Sequence, residues 1–566
     1  MTLGAARTRA EAALARLAEV DRPEVWISLA ESPSLLADAD AIDARAAAGE
    51  TLPLAGTVVA VKDNIDVAGF DTTAGSPGAS YRPGTDAEAV RLLREAGALV
   101  LGKTNLDQFA TGLVGSRTPY GAVRAAHDET LVSGGSSAGS AVAVALGIVD
   151  AALGTDTAGS GRVPAAFNGI VGVKPTLGLV SARGVVPASP SYDAVTVFAA
   201  DLVTAERMLA VIAAFDGEDP ASRPWSPTAS LAHPGDVTFG VPSAAALEPM
   251  TPQWRAAFEA TVAACRDRGA TIVEVDIAPL LDVARLLYGG ALVAERAAAF
   301  GHLLDVGPET VDPTVRTIVG AGTDKLATDL VRDQQRLRSE RAGLAPLWQA
   351  IDALLLPTAP GHPSLAEVAA DPIGVNAWVG TYTNFVNLLD LAAVAVPGEE
   401  PVGVTLVGPA HSDRVLLDLA GAVTGEPTGE WLPDAVPLAV FGAHMAGEPL
   451  NGQLTTRGAR LLGAVATASA YRFVALSTTP PKPGLVHVGT GGDAVSVSGE
   501  LWAVPTGRIG DFLGDLVAPM TIERVMLDDG SDVLGFLCEP GALEGAVDIS
   551  RFGDWRAYRR SSGVAR

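Results

Sequence analysis

The stretch from Leu131 to Thr176, LVSGGSSAGSAVAVALGIVDAALGTDTAGSGRVPAAFNGIVGVKPT, constrains the fold of this chain more than any other. It reads as a Gly/Ser loop, an Ala-rich helix, a strand, a second Gly/Ser loop and the start of another helix. That alternation is α/β organisation, and loops rich in backbone donors fall at the strand ends, where such sheets place their sites. The flanking sequence alternates in the same way. Residues 5 to 19 predict a helix with Leu14, Leu17 and Val20 along one side. From Leu54, LAGTVVAVKDNIDV reads as a buried strand and a polar turn, Asp86 to Glu95 as an amphipathic helix, and AGALVLGKTN as another strand. Further on, 204–215 and 251–268 read as helices, ATIVEVDI as a strand and 323–353 as a long helical stretch. ALLLPTAP and PVGVTLVGP read as buried strands, and DRVLLDLAGAVTG as a closing helix.

A chain of 566 residues is too long for one ordinary core. Composition shifts at GEPTGEWLPDAVP, rich in Gly and Pro and without an apolar period, which reads as a linker. The expected domains are therefore 1–430 and 438–566. The second is a small α+β domain of short β segments, with a DG hairpin signal in VMLDDGSDVLGFLCE.

The net charge of -25 (40 basic against 65 acidic residues) argues against a general nucleic-acid binder. Two distant cysteines, Cys265 and Cys538, fit a reducing compartment. The charged N-terminus lacks an apolar signal core. The longest apolar run, Ala141 to Leu153, is interrupted by Asp150, falls short of a membrane span and reads as a buried helix. A cytoplasmic location, with no membrane partner, is the expectation.

None of the seven histidines forms a metal-spaced pair, and GxSxG and Walker A patterns are absent, so neither a zinc hydrolase nor a nucleophile elbow explains the serine-rich loops. Taken alone, GGSSAGS (134–140) and GTDTAGSGR (154–162) would each read as flexible turns. Together with a lysine upstream in VAVKDN, and with Ser136 and Ser160 set 24 residues apart, they carry more. This block resembles the amidase signature family over roughly residues 20 to 420. The resemblance implies a mixed β-sheet covered by helices on both faces. It also implies a Ser–cis-Ser–Lys set: Lys62 as base, Ser136 as bridge after a cis peptide, Ser160 as nucleophile.

The chemistry is coherent with that set. A serine hydroxyl attacks well only if its proton is taken as it attacks. A lysine takes it near neutral pH only if burial lowers its pKa, and Lys62 follows the apolar run TVVAV. The alternative is a surface pair of Lys62 with Asp63 or Asp66. The turn TAGS would aim the N–H groups of Thr157, Ala158, Gly159 and Ser160 at one point as an oxyanion hole, where one donor is worth about 3–4 kcal/mol. Asp156 and Arg162 flank it as structural supports.

Two features narrow the substrate. YGGALVAER spaces Tyr288 and Arg296 by eight residues, predicting two turns of one helix face, and a guanidinium suits a carboxylate bidentately. By itself this reads rather as an ordinary helix surface. The tail, through FGAHMAGEPLNGQL, TASAYRF, PPKPGLVHV and GELW, resembles the C-terminal domain of allophanate hydrolases. In those enzymes a Tyr and an Arg at this spacing hold the substrate, the arginine gripping its carboxylate. GLVGSRTPYG resembles their substrate-side loop, with Gly112 as the contact. The resemblance implies cleavage of the terminal amide of allophanate to ammonia and N-carboxycarbamate. It links the tail to decarboxylation, with His444 as acid–base residue and His487 second, although a lone histidine is more often structural. It calls for no metal or organic cofactor. It further implies a homodimer through the large domain and functional association with a biotin-dependent urea carboxylase. The competing expectations are a glutaminase subunit of a tRNA amidotransferase, which leaves the tail unexplained, and a non-catalytic scaffold, against which the intact Lys62, Ser136 and Ser160 argue.

Overall fold

The computed structural model describes residues 4–233 and 235–562. Val58 to Lys62 is buried at every position, and its neighbours in the sheet explain why. Eleven strands form one mixed sheet: β1 (Trp26–Leu29), β2 (Val58–Lys62), β3 (Leu99–Thr104), β4 (Ala151–Asp156), β5 (Val171–Lys174), β6 (Ala194–Ala199), β7 (Thr238–Pro242), β8 (Thr271–Val275), β9 (Ala353–Pro357), β10 (Ala392–Pro397) and β11 (Gly403–Gly408). Their order is β1-β3-β2-β4-β6-β5-β10-β11-β9-β7-β8. β2 runs parallel to β3 and β4, whereas β4–β6, β5–β6 and β10–β11 are antiparallel.

Both faces of this sheet are covered. Side chains alternate along a strand, and Val59 and Val61 enter one apolar cluster while Val58 and Ala60 enter another. The first cluster takes Val90 and Leu93 from the helix Glu88–Glu95 and Met208 and Leu209 from Leu202–Ile212. The second takes Ala6, Ala10 and Ala13 from the helix Ala5–Val20 and Ala141 and Val142 from Ala138–Ala145. A strand buried on both sides reads as a continuous apolar run rather than an alternating one, as TVVAV does. The mixed β-sheet covered by helices on both faces, which the resemblance implied, is the architecture found.

Two expectations need correction. The apolar run Ala141 to Leu153 is not one helix: the helix ends at Ala145, Gly147 turns the chain at positive φ, and the run finishes as β4. Asp150 sits in that turn, its carboxylate accepting Val58 N–H at 2.8 Å. The stretch 323–353 is likewise two helices, Ala327–Gly343 and Ala345–Ala350, followed by β9. Pro346 in the first turn of the second helix favours a fresh start there.

The chain divides into two compact units, Met1–Pro224 with Asp236–Trp431, and Trp225–Gly235 with Leu432–Arg566. The second unit holds a five-stranded sheet ordered Arg460–Ala466, Ser498–Pro505, Ala435–Val440, Asp532–Cys538, Met520–Met526. A three-stranded sheet and the short helices Gly452–Thr455, Ile509–Gly514 and Trp555–Ser562 accompany it. The DG signal lies in the hairpin that pairs Met526 with Asp532. Residues 225–235 lace into this unit from the middle of the chain: Leu231 N–H bonds Gly458 O at 2.8 Å, and Gly507 N–H bonds Pro227 O at 2.7 Å. The linker segment is fastened within the first unit, where the buried carboxylate of Glu206 accepts Gly429 N–H at 2.8 Å and Trp431 N–H at 2.6 Å.

Candidate active site

Lys62 is the last residue of β2, flanked on both sides by parallel strands, so its side chain leaves the sheet at a strand end with no exposure to water. Its Nζ lies 2.8 Å from Ser136 Oγ, 2.7 Å from Thr155 Oγ1 and 3.4 Å from Thr155 O. Burial drives its pKa down to about 7, against the opposing pull of Asp107, Asp156 and Asp193 and with help from Arg296. As a neutral amine it can give its N–H groups to the two Thr155 oxygens and keep a lone pair for the Ser136 hydroxyl. The surface-pair alternative is excluded. Asp63 is buried against Lys103 at 3.0 Å, and Asp66 accepts the hydroxyls of Thr72 at 2.8 Å and Tyr81 at 2.7 Å.

Ser136 follows a cis peptide bond from Gly135, two residues before the helix Ala138–Ala145. Ser160 stands in the turn after β4 and is almost completely buried. Its hydroxyl makes no hydrogen bond to a described residue, so the first link of the relay, Lys62–Ser136, is formed and the second, Ser136–Ser160, is not. Such links are often long until the reacting groups are engaged.

The turn itself is built by Asp156 and Arg162. Asp156 Oδ1 accepts Gly159 N–H at 2.8 Å and Oδ2 accepts Gly161 N–H at 2.9 Å, while Arg162 Nε and Nη2 donate to the same carboxylate at 2.9 and 3.0 Å. This corrects one expectation: Gly159 N–H is committed to Asp156 and is not available to an oxyanion. Among the described residues the N–H groups of Thr157, Ala158 and Ser160 have no acceptor. Gly159 has φ +137° and lies so close to Thr383 that a Cβ would come within 2.5 Å of its Oγ1, so only glycine fits this place in the turn.

Tyr288 and Arg296 come together, but not on one helix face. Tyr288 closes the short helix Leu286–Gly289, Gly290 is extended, and Arg296 lies in a new helix, Ala294–Phe300. Asp333 accepts Ala291 N–H at 2.6 Å across the break. The pair meets by folding back: Arg296 Nη2 donates to Tyr288 Oη at 3.2 Å, and the guanidinium sits 5.1 Å from the ring centroid. Arg296 Nη1 donates to Thr111 Oγ1 at 3.0 Å, which brings in the residue before Gly112. Arg296 is 1% exposed, no carboxylate of a described residue lies within ion-pair distance, and its Nε has no acceptor. A cleft of about 540 Å³ opens beside Tyr288, walled by Arg117, Asn376, Gly380 and Asn384.

Sequence reasoning passed over Thr155, Thr111 and Asp107. Thr155 is a single polar residue in an apolar strand, a weak signal. Asp107 is buried and accepts three backbone N–H groups, from Val114 at 3.2 Å, Gly115 at 3.0 Å and Arg117 at 2.9 Å. Its acidic side chain just ahead of a Gly-containing loop is the one signal that would have found it.

In the second unit, His444 lines a pocket of about 240 Å³ with Gln453, Lys482, Phe512 and Phe536. It stacks on Phe536 at 4.6 Å, and Nε2 lies 2.9 Å from Gln453 Oε1. With that oxygen as acceptor the proton sits on Nε2, leaving Nδ1 as the basic nitrogen. Burial lowers the pKa of His444, favouring the neutral ring. His487 is exposed beside Tyr471 and does not line this pocket. Among the described residues, no acidic, His or Cys cluster is arranged to hold a metal, and no helix is long and apolar enough to cross a membrane.

Comparison with known proteins matches both parts of the chain. The amidase family covers residues 9–417, and the allophanate hydrolase C-terminal domain covers 436–560. The urea amidolyase of Saccharomyces cerevisiae is 41% identical over 94% of this chain, which spans 31% of that relative's length. A glutamyl-tRNA(Gln) amidotransferase subunit of Symbiobacterium thermophilum is 35% identical, over 73% of this chain and 92% of its own. The crystal structure of Kluyveromyces lactis allophanate hydrolase superposes with a TM-score of 0.84 at 39% identity, covering 98% of this chain and 97% of that one. With an amidase sheet carrying Lys62 and Ser136 in contact, and a tail matched by the allophanate hydrolase C-terminal domain, the chain belongs to the allophanate hydrolases of the amidase signature family.

Proposed function

We propose that this chain hydrolyses the terminal amide of allophanate with Ser160 as nucleophile. Neutral Lys62 accepts the proton of Ser136, and Ser136 accepts that of Ser160 as its Oγ attacks the carbonyl carbon. The N–H groups of Thr157, Ala158 and Ser160 receive the oxyanion. The C–N bond breaks, the stored proton passes to the leaving nitrogen, and ammonia departs. Water, deprotonated through the same path, then releases N-carboxycarbamate and restores Ser160. In the second unit, His444 would take part in losing carbon dioxide from that product, giving ammonia and carbon dioxide overall. The chain's match to under a third of the urea amidolyases supports functional association with a biotin-dependent urea carboxylase, which would supply the allophanate.

The observation that carries the substrate is Arg296, a buried guanidinium held by Thr111 and Tyr288 with no carboxylate of a described residue within ion-pair distance. An isolated buried charge is costly, so the site is complete only with an anionic ligand. Glutamine and the neutral amide biuret offer no carboxylate in the place that allophanate does. The test is ammonia release from allophanate, biuret, malonamate, glutamine and urea by wild type, Ser160→Ala and Arg296→Gln. Wild type should prefer allophanate, Ser160→Ala should lose about 10⁴-fold or more, and Arg296→Gln should erase the preference over biuret. Turnover of glutamine in preference to allophanate would replace the substrate and keep the serine chemistry. No turnover of any amide would favour a non-catalytic scaffold.

A further inference from the structure

We propose that Asp107 is the positioning residue of this centre: its carboxylate holds the loop that follows Gly112, and its own backbone N–H holds the loop carrying Ser136. The proposal rests on the Lys62–Ser136–Ser160 reading above. Asp107 is fully buried, and its two oxygens accept the N–H groups of Val114, Gly115 and Arg117. Its own N–H donates to Ser136 O at 3.1 Å, so the same residue grips the relay serine by its backbone. The fit leaves no slack on either side. A Cβ on Gly112 would lie 2.5 Å from Asp107 Oδ2, and one on Gly135 would fall well inside the contact radius of that oxygen. Gly112 and Gly135 are thus small because Asp107 stands between them.

The carboxylate also acts on Lys62 through its charge. The ionisable groups facing Lys62 are Asp107, Asp156, Asp193 and Arg296, and Asp107 is the foremost of the three that hold its proton on. Asp156 is paired with Arg162 at 2.9 Å. Asp193 also accepts only neutral donors, the Thr157 hydroxyl and the N–H groups of Ala188 and Ser189, but it stands behind Asp107 and Asp156 in its pull on Lys62. Asp107 accepts only neutral backbone N–H groups, and among the described residues no cation lies within ion-pair distance. Its charge therefore reaches Lys62 uncancelled. Asp107→Asn keeps the shape and removes that charge; Gly135→Ala keeps the charge and disturbs the contact.

The measurement is kcat/KM for ammonia release from allophanate against pH, with a melting curve for each protein. Wild type should rise with pH to a plateau, with a midpoint near the Lys62 value of about 7. Asp107→Asn should lower the plateau at least about 10-fold and move the midpoint down by about one unit, because an anion that favoured the charged amine is gone. Gly135→Ala should lower the plateau with the midpoint in place. A folded Asp107→Asn protein whose midpoint stays put, whatever its plateau, overturns the proposal. If Asp107→Asn does not fold, Gly135→Ala decides: a wild-type plateau overturns the proposal, and a lowered plateau in a folded protein supports it. A wild type that lacks the rise, or keeps its rate as Ser160→Ala, removes the serine–lysine reading itself, an outcome visible without either Asp107-directed variant.

Discussion

At the scale of single residues, the site depends on ionisable groups kept from water. Lys62 is the clearest case. Its pKa in the fold is about 7 against an ordinary 10.5, so at neutral pH the unfolded chain holds a proton that the fold partly refuses. Between pH 7 and 10.5 the unfolded state binds more protons, so the stability this residue contributes rises with pH across that window, being complete above about 10.5 and fully lost once the pH has fallen to about 7. A shift of that size corresponds to several kcal/mol. Lys62→Met should therefore be inactive and yet melt at a higher temperature than wild type near pH 7. The difference should shrink as the pH is raised toward about 10, read by calorimetry at several pH values. Equal melting temperatures across that range would mean that Thr155 and Ser136 compensate the buried amine in full.

Elements decide how such residues are presented, and here the turn after β4 is the critical piece. Asp156 and Arg162 are both completely buried, and the carboxylate also takes the Gly159 and Gly161 N–H groups. Removing one member of a buried pair costs about 3–5 kcal/mol because the other is stranded. Asp156→Asn should accordingly unfold at lower denaturant and lose most of its kcat, since the N–H groups of Thr157, Ala158 and Ser160 lose their common anchor. A variant with wild-type stability would show that Arg162 finds its balance in Thr383 O and Asn387, its other partners at 3.1 and 3.0 Å. Much of this element was legible in the sequence, because GTDTAGSGR is a contiguous motif whose parts act locally. What was not legible is long-range. The spacing of Tyr288 and Arg296 points to one helix face, but the closeness of the pair depends on Gly290 breaking that helix and on Asp333, distant in sequence, accepting the next N–H. Gly159 looked like an oxyanion donor because a sequence cannot show that Asp156 faces back onto it. Asp107 went unread because its partners are backbone N–H groups, which every residue but proline possesses.

For the whole molecule, the consequential feature is that the second unit is not continuous in sequence. Residues 225–235, between the sixth and seventh strands of the large sheet, belong to it, and the match to the known C-terminal domain starts only at 436. Leu231 in that segment is completely buried. Ser230 lies where a Cβ on Gly458 would strike its side chain, and Thr228 and Pro227 lie 2.9 and 3.0 Å from where one on Gly507 would sit. Both glycines are thus spaces shaped for a strand of chain from elsewhere. Burying a leucine contributes about 1.5–3 kcal/mol, and cutting it to alanine inside a packed site costs about 2–5 kcal/mol. In the full chain, Leu231→Ala should lower the denaturant midpoint of the second unit, followed through a fluorescence change of Trp502 or Trp555, both buried there. A fragment of residues 432–566 should be less stable than the same unit in the full chain, and should regain part of the difference when a synthetic 225–235 peptide is added. A fragment as stable as the unit in the full chain, and indifferent to the peptide, would show that the segment merely rests on a finished domain. The expected result would instead make the large domain's chain a required part of the tail, so that the two cannot be separated at the linker without loss.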